Sequence, residues 1–169
     1  MNDNNDLQQA TQVVQTTIDE YFKTADETLK QELGEGFSDE DKTGFMQVLA
    51  QAKYDPNVLF ESLVHLLEEI GYNEEQVQNA VNELQTIISM RIMVELYSSV
   101  SLEKLEALMD MNTELTPAQL NAAIETVYAN ENDGKSLSDV TKELTDSTYQ
   151  AFYGDIKKIW DNYQATIAQ

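Results

Sequence analysis

NEEQVQNAVNELQTIISMRIMVELYSS, Asn73 to Ser99, is the stretch whose reading decides the fold. It contains neither Gly nor Pro. It opens on an Asn, a good N-cap, and two carboxylates, Glu74 and Glu75, which suit the positive end of a helix dipole. Val77, Val81, Leu84 and Ile88 recur at steps of three and four, the spacing of one buried helical stripe. From Ile87 to Tyr97 the apolar residues nearly surround the axis: Ile87, Ile88, Met90, Ile92, Met93, Val94, Leu96 and Tyr97. A helix that is apolar all round is buried on several sides. The run is shorter and more interrupted than the roughly 20 apolar residues a membrane span requires. The pattern therefore predicts the central, buried helix of a bundle, near 73–99.

Arg91, the only Arg in the chain, sits inside that apolar run. Buried charges are normally paired. Arg91 is therefore expected to snorkel to the surface, or to form a buried ion pair with Glu95 one turn on or with an acid from another helix. The functional alternative is an anion-binding or switch residue.

Outward from this stretch the chain reads as helices throughout. Val14, Ile18, Tyr21, Phe22, Ala25, Leu29 and Leu33 share one face of a long first helix, from Leu7 to Leu33, which Gly34 and Gly36 end. Ser38 opens a second helix with Phe45, Met46, Leu49 and Ala52 inward, and Asp55-Pro56 starts a third. Leu59, Phe60, Leu63, Leu66, Leu67 and Ile70 line that third helix, and Gly71 stops it. After the central helix, Ser101 caps a short helix with Leu102, Leu105, Leu108 and Met109 inward. Thr116-Pro117 begins another, to about Ala129, with Leu120, Ala123, Ile124 and Val127 on one side. Asn130 to Lys135, NENDGK, is the clearest loop. A last long helix follows, from about Leu137 or Ser138 to Ala168. No stretch alternates as a strand would. The expectation is an all-α fold: an irregular or orthogonal bundle of six to seven helices, with long first and last helices. It is expected to form a single domain over 1–169, with a sub-boundary, if there is one, near 113–116 or in the 130–136 loop.

Acids outnumber bases 31 to 10, a net charge of −21. Split at Gly71/Tyr72 and Asn112/Thr113, the three segments carry about −11, −5 and −5, so the charge is spread along the chain. Nucleic acid and anionic membrane surfaces attract Lys and Arg, so neither is expected as a direct partner. A basic protein partner is permitted. With no Cys, disulfides, thiolate catalysis and Cys-based zinc sites are excluded. MNDNNDLQQA, at the start, has no basic region and no apolar core of a Sec signal, so the expected location is cytoplasmic.

His65, Glu61 and Glu69 lie four residues apart on one helical strip. Glu61 and Glu69 are roughly 12 Å apart along a helix axis, so one ion cannot take all three residues. Carboxylate-bridged di-iron bundles need a Glu-x-x-His motif from each of two helices, and the chain has one His. A solvated His65 is the better reading, and no metal or cofactor is expected. A second His for a Ser-type triad and a Gly-x-Ser-x-Gly elbow are both missing. Placing Gly134 at the sixth position of a calcium loop puts Ala129 first and Val140 twelfth, where oxygen ligands are required.

The last helix offers the best candidate surface. Leu144, Thr148, Phe152, Ile156, Ile159, Tyr163 and Ile167 form one stripe, with Tyr149, Tyr153 and Trp160 beside it. Such aromatics are enriched in interfaces, which makes Tyr149, Tyr153, Trp160 and Tyr163 the candidate partner-binding residues. The alternative is that the helix lies between two neighbours and buries both stripes. On the adjoining side Ser147, Ala151 and Gly154 are small enough to let another helix approach.

Ile70-Gly71-Tyr72, the acidic start Glu74-Glu75, Arg91 among apolar residues and the Leu102–Asp110 helix also form a recognisable order. The segment His65 to Met111 resembles a small all-helical bacterial domain of unknown function, met mostly in candidate-phylum (Patescibacteria-type) bacteria. Val94-Glu95-Leu96 replaces the second Gly or Arg that tends to follow in that family. The resemblance implies a short helical module with no known activity. Ile70 to Leu84 also resembles the Gly-aromatic loop of ubiquitin-associated domains, but the short helices of that fold do not follow. Three functions stand at this point: a non-enzymatic protein-interaction module acting on a protein partner or by self-association, an acidic mimic or chaperone that sequesters a basic protein by charge, and an enzyme with dispersed carboxylates. The first is the leading expectation; no small-molecule substrate is evident.

Overall fold

The computed structural model describes residues 3–33, 43, 58–110 and 115–167, and over them the chain is an all-α bundle without strands. The six helices among the described residues are α1 Asp3–Leu33, α2 Val58–Ile70, α3 Glu74–Ser99, α4 Leu102–Asp110, α5 Pro117–Glu131 and α6 Leu137–Ile167. The first and last are the longest, as the sequence suggests. The helix expected from Ser38, with Gly34 and Gly36 before it, and the Asp55-Pro56 start lie outside the described residues.

The chain divides into two compact units. One comprises Met1–Thr24, Asp55–Ile87 and Thr145–Gln169, and the other Ala25–Tyr54 and Ile88–Leu144. The division falls inside α1, α3 and α6, not at 113–116 or in the 130–136 loop.

In the first unit the cause of each helix boundary is visible. Gly71 has φ 102°, and its N–H donates to Glu68 O while Tyr72 N–H donates to Leu67 O. This is the paired Schellman pattern that satisfies the last carbonyls of α2. The chain then turns directly into α3. Asn73 Oδ1 accepts from Gln76 N–H at 2.9 Å, and Gln76 Oε1 accepts from Asn73 N–H at 3.0 Å, a reciprocal capping box. A Cβ on Gly71 would lie 2.9 Å from Leu7 Cδ2, so α1 passes close against this turn. Tyr72 is buried, and its hydroxyl donates to Thr11 O at 3.3 Å.

Val14 and Ile18 of α1, Leu63, Leu67 and Ile70 of α2, Leu84 of α3 and Phe152 and Ile156 of α6 have essentially no exposed surface. Fully burying a side chain of this size contributes about 1.5–3 kcal/mol. Aromatic edges join the helices. Tyr21 meets Phe152 with centroids 5.6 Å apart, and Phe60 meets Tyr149 at 6.2 Å, both edge-to-face.

In the second unit α3 buries Ile88, Met90, Ile92, Met93 and Leu96, with Arg91 half-buried among them. The all-round apolar run is thus a core element, as its pattern predicts. Leu105, Leu108, Leu120, Ile124, Tyr128, Leu137 and Val140 complete this core. Thr116 and Gln119 form the capping box of α5, with Pro117 in its first turn. At the other end α5 runs to Glu131, two residues beyond the loop boundary read from the sequence. Asn132 explains the extension: its side-chain amide donates to Ser99 O at 3.0 Å and Tyr128 O at 2.9 Å. The turn proper is Asn132–Gly134, with Asp133 at φ 53° and Gly134 at φ 81°.

Glu83 conflicts with its surroundings in the first unit. Its Oε2 is buried and accepts no hydrogen bond within the protein. Burial, then the charge of Asp19, raises its pKa, against a hydrogen bond from Gln15 that lowers it. A raised folded-state pKa means that the carboxylate opposes folding at neutral pH. The opposition fades as pH falls through the folded pKa toward the ordinary glutamate value. Glu83→Gln is therefore expected to raise Tm at neutral pH, by about 1 kcal/mol of stability. Its advantage over the wild type should shrink on acidification, as followed by thermal melts at stepped pH. The glycines are expected to differ in sign. Gly71→Ala should lower stability by more than about 1 kcal/mol through its positive φ and the Leu7 contact. Gly154→Ala, inside α6 with nothing within 4 Å of the added Cβ, should raise it by up to about 1 kcal/mol. Urea denaturation of the two variants checks both.

Candidate functional site

A concavity lies between α2 and α6, wholly within the first unit. It is an open groove of about 640 Å³ lined by Ser62, His65, Leu66, Glu69, Tyr153, Lys157, Trp160, Asp161 and Gln164. The lining follows helical spacing on both sides. Ser62, His65, Leu66 and Glu69 are one face of α2, and Tyr153, Lys157, Trp160, Asp161 and Gln164 are one face of α6. The groove therefore runs beside the seam where Phe60 packs on Tyr149.

Leu66, Tyr153 and Trp160 bring apolar groups to a lining that is otherwise polar or charged. Leu66 and Trp160 are buried, and Tyr153 is half-buried. Trp160 and Tyr163 stack with centroids 5.4 Å apart and planes 19° from parallel. Lys157 Nζ donates to both oxygens of Asp161 at 2.9 Å, an i, i+4 pair. The hydrogen bond to Asp161 raises the Lys157 pKa; burial works against it, and the charges of Asp161, Tyr153 and Glu69 add to it. The sole cation among the lining residues is thus already paired, by an acid of its own helix.

On α2 the acids stand outward. Glu61, His65, Glu68 and Glu69 are all exposed, and His65 Nδ1 lies 3.5 Å from Glu68 Oε2. His65 sits on a wet face, in line with the solvated reading. Among the described residues no group of three His, Cys, Asp or Glu is placed to hold a metal ion.

The four candidate aromatics of α6 separate. Tyr149 and Trp160 are buried, and burial raises the Tyr149 pKa. Tyr153 and Tyr163 keep partial exposure. Tyr149 is consequently a core residue rather than a surface one. The deep seam of α6 is Thr145, Thr148, Tyr149, Phe152, Ile156 and Trp160, which draws on both stripes seen in the sequence. Ser147, Ala151 and Gly154 face solvent instead of receiving a neighbouring helix.

A second polar cluster lies in the second unit. Glu95 Oε1 accepts from Tyr128 Oη at 2.7 Å and from Ser99 Oγ at 3.0 Å. Arg91 and Glu95 are both half-buried, one turn apart on α3. Glu131 accepts from Ser101 N–H at 2.9 Å and pairs with Lys104, and these bonds hold its carboxyl below the usual range. Glu125 takes Ser136 Oγ at 2.9 Å and Ser138 N–H at 3.2 Å. Glu125 and Glu131 thus cap the starts of α6 and α4. The Tyr128 bond has no counterpart in the sequence pattern, where the stripe predicted for α5 ends at Val127.

No family model, curated protein or solved structure matches the chain. Among the described residues no helix is long and apolar enough to cross a membrane.

Burial, then the hydrogen bond to Glu95, pushes the Tyr128 pKa up to about 12. An unfolded tyrosine ionises near 10. The folded state therefore holds the proton longer, so the stability from this hydroxyl is complete below pH 10 and is lost between pH 10 and about 12. Tyr128→Phe is expected to cost about 1 kcal/mol at neutral pH. It should also flatten the fall in stability above pH 10, as measured by denaturant titration at alkaline pH.

Proposed function

We propose that this chain is a non-enzymatic protein-interaction module and that the groove between α2 and α6 is its contact surface. The observation that carries the reading is the lining: a buried Trp160 and Leu66 floor, a half-buried Tyr153, and polar groups along both edges. Aromatic anchors in a concave site ringed by polar residues are the usual anatomy of a binding hot spot. Elsewhere the described surface is poor in apolar side chains; Val13 is the large hydrophobic that stands exposed. A broad apolar contact is therefore less well supported than insertion of a peptide segment into the groove.

Selection of random peptides on the immobilised protein tests this. Trp160 is the only Trp, so its fluorescence reports on the groove directly. Selected peptides are expected to shift that fluorescence, and Tyr153→Glu should weaken them by about tenfold or more, a loss of about 1.4 kcal/mol. Ala151→Glu, on the solvent face of α6, should leave them unchanged. Circular dichroism confirms that both variants fold. Peptides indifferent to Tyr153→Glu would place the contact surface elsewhere.

A further inference from the structure

The charge around the groove says what kind of segment it takes. From Tyr54 to Met90 the chain has no Lys or Arg, yet it has seven acids. Glu61, Glu68 and Glu69 of α2 and Glu74 and Glu75 at the start of α3 are all exposed. Of these acids Glu69 lines the groove, Glu68 Oε2 lies 3.5 Å from Nδ1 of the lining His65, and Glu61 is one turn before His65 on the same outer strip of α2. On the α6 side Lys157 is bound through both oxygens of Asp161. The floor supplies the other half of the recognition. Lys and Arg carry long apolar stems that pack on Leu and aromatic surfaces while their heads reach outward. Their cationic heads are also attracted by the faces of Trp and Tyr. Leu66, Trp160 and Tyr153 lie within reach of such stems, next to the carboxylate of Glu69.

We propose that the groove binds a basic, amphipathic segment of a protein partner, its Lys or Arg heads along the Glu61–Glu68–Glu69 rim and its apolar side chains over Trp160 and Tyr153. This rests on the reading of the groove as a contact surface. It differs from capture by overall charge, since the rim and the aromatic floor must act together.

Three synthetic helical peptides share one apolar face and carry Lys and Arg, Gln, or Glu at their polar positions. Each is titrated into the full chain with Trp160 fluorescence as readout. The basic peptide is expected to bind, and the Gln and Glu peptides to bind at least about tenfold more weakly. Raising salt from about 0.05 M to about 0.5 M should weaken the basic peptide strongly. The triple variant Glu61→Gln, Glu68→Gln, Glu69→Gln should weaken it about tenfold or more, and the control triple Glu20→Gln, Glu103→Gln, Glu143→Gln much less. All six positions are exposed, so both variants keep the fold. Equal binding of the Gln peptide overturns the basic segment and leaves the groove reading standing. Equal losses in the two triples overturn the site in favour of net charge. Binding of none of the three overturns the proposal, and peptides selected without bias then decide the groove reading independently.

Discussion

The left-handed turn at Gly71 is the constraint on which the first unit rests. A residue with a side chain would be strained there by its φ, and its Cβ would press on Leu7. Glycine allows α2 to end in two satisfied carbonyls and the cap of α3, Asn73, to follow two residues later. With so short a connection, the exit direction of α2 and the start of α3 are set together. Tyr72, next in the chain, is buried and bonds to the backbone of α1, so the same turn also fixes α1. The orientation of α2 then decides which of its faces meets α6. Leu63, Leu67 and Ile70 go to the core, and Ser62, His65 and Glu69 are left at the groove.

The second unit is held at its helix ends by carboxylates rather than by glycine. Glu95, Glu125 and Glu131 each accept from a neighbour in another helix or its cap. Glu125 and Glu131 also accept from Ser138 N–H and Ser101 N–H, backbone groups that a helix start leaves without partners, whereas Glu95 accepts from side-chain hydroxyls. Among the described residues the acids include two populations: acceptors that close helix junctions, such as Glu125 and Glu131, and carboxylates that face water, such as Glu61. Glu83 belongs to neither: its Oε2 is buried without a partner. A high net charge says nothing of this division, because it counts Glu131 and Glu61 alike.

The division marks how far the sequence could be read. Helix positions, the buried run of α3 and the stop at Gly71 follow from local periodicity and local chemistry, and they are in the structure. The helix starts at Asn73 and Thr116 were also legible, and in the structure each is completed by a Gln three positions on. The end of α5 was not, because Asn132 and Glu131 are held by Ser99, Ser101 and Lys104, some thirty residues away in sequence. The groove was half legible. Its aromatic side was picked out in α6, and its α2 side was read as a wet strip around His65. Their adjacency depends on long-range packing such as Phe60 on Tyr149, and no local pattern encodes it.

That adjacency also changes what the acidic charge means. Exposed carboxylates on an isolated helix are solvated and screened within about 10 Å at 0.1 M salt, so alone they discriminate weakly between partners. Beside a low-dielectric floor the same carboxylates act at short range on a cation whose stem is already desolvated against Trp160 and Leu66. On the proposed reading, specificity would come from the requirement to satisfy both surfaces at once. A basic but hydrophilic segment would leave the floor wet, and an apolar neutral segment would leave the rim unpaired. Lys157 adds little to the choice: held by both oxygens of Asp161, its charge is matched on its own helix, and on the proposed reading the acids of α2 would set where a bound cation sits.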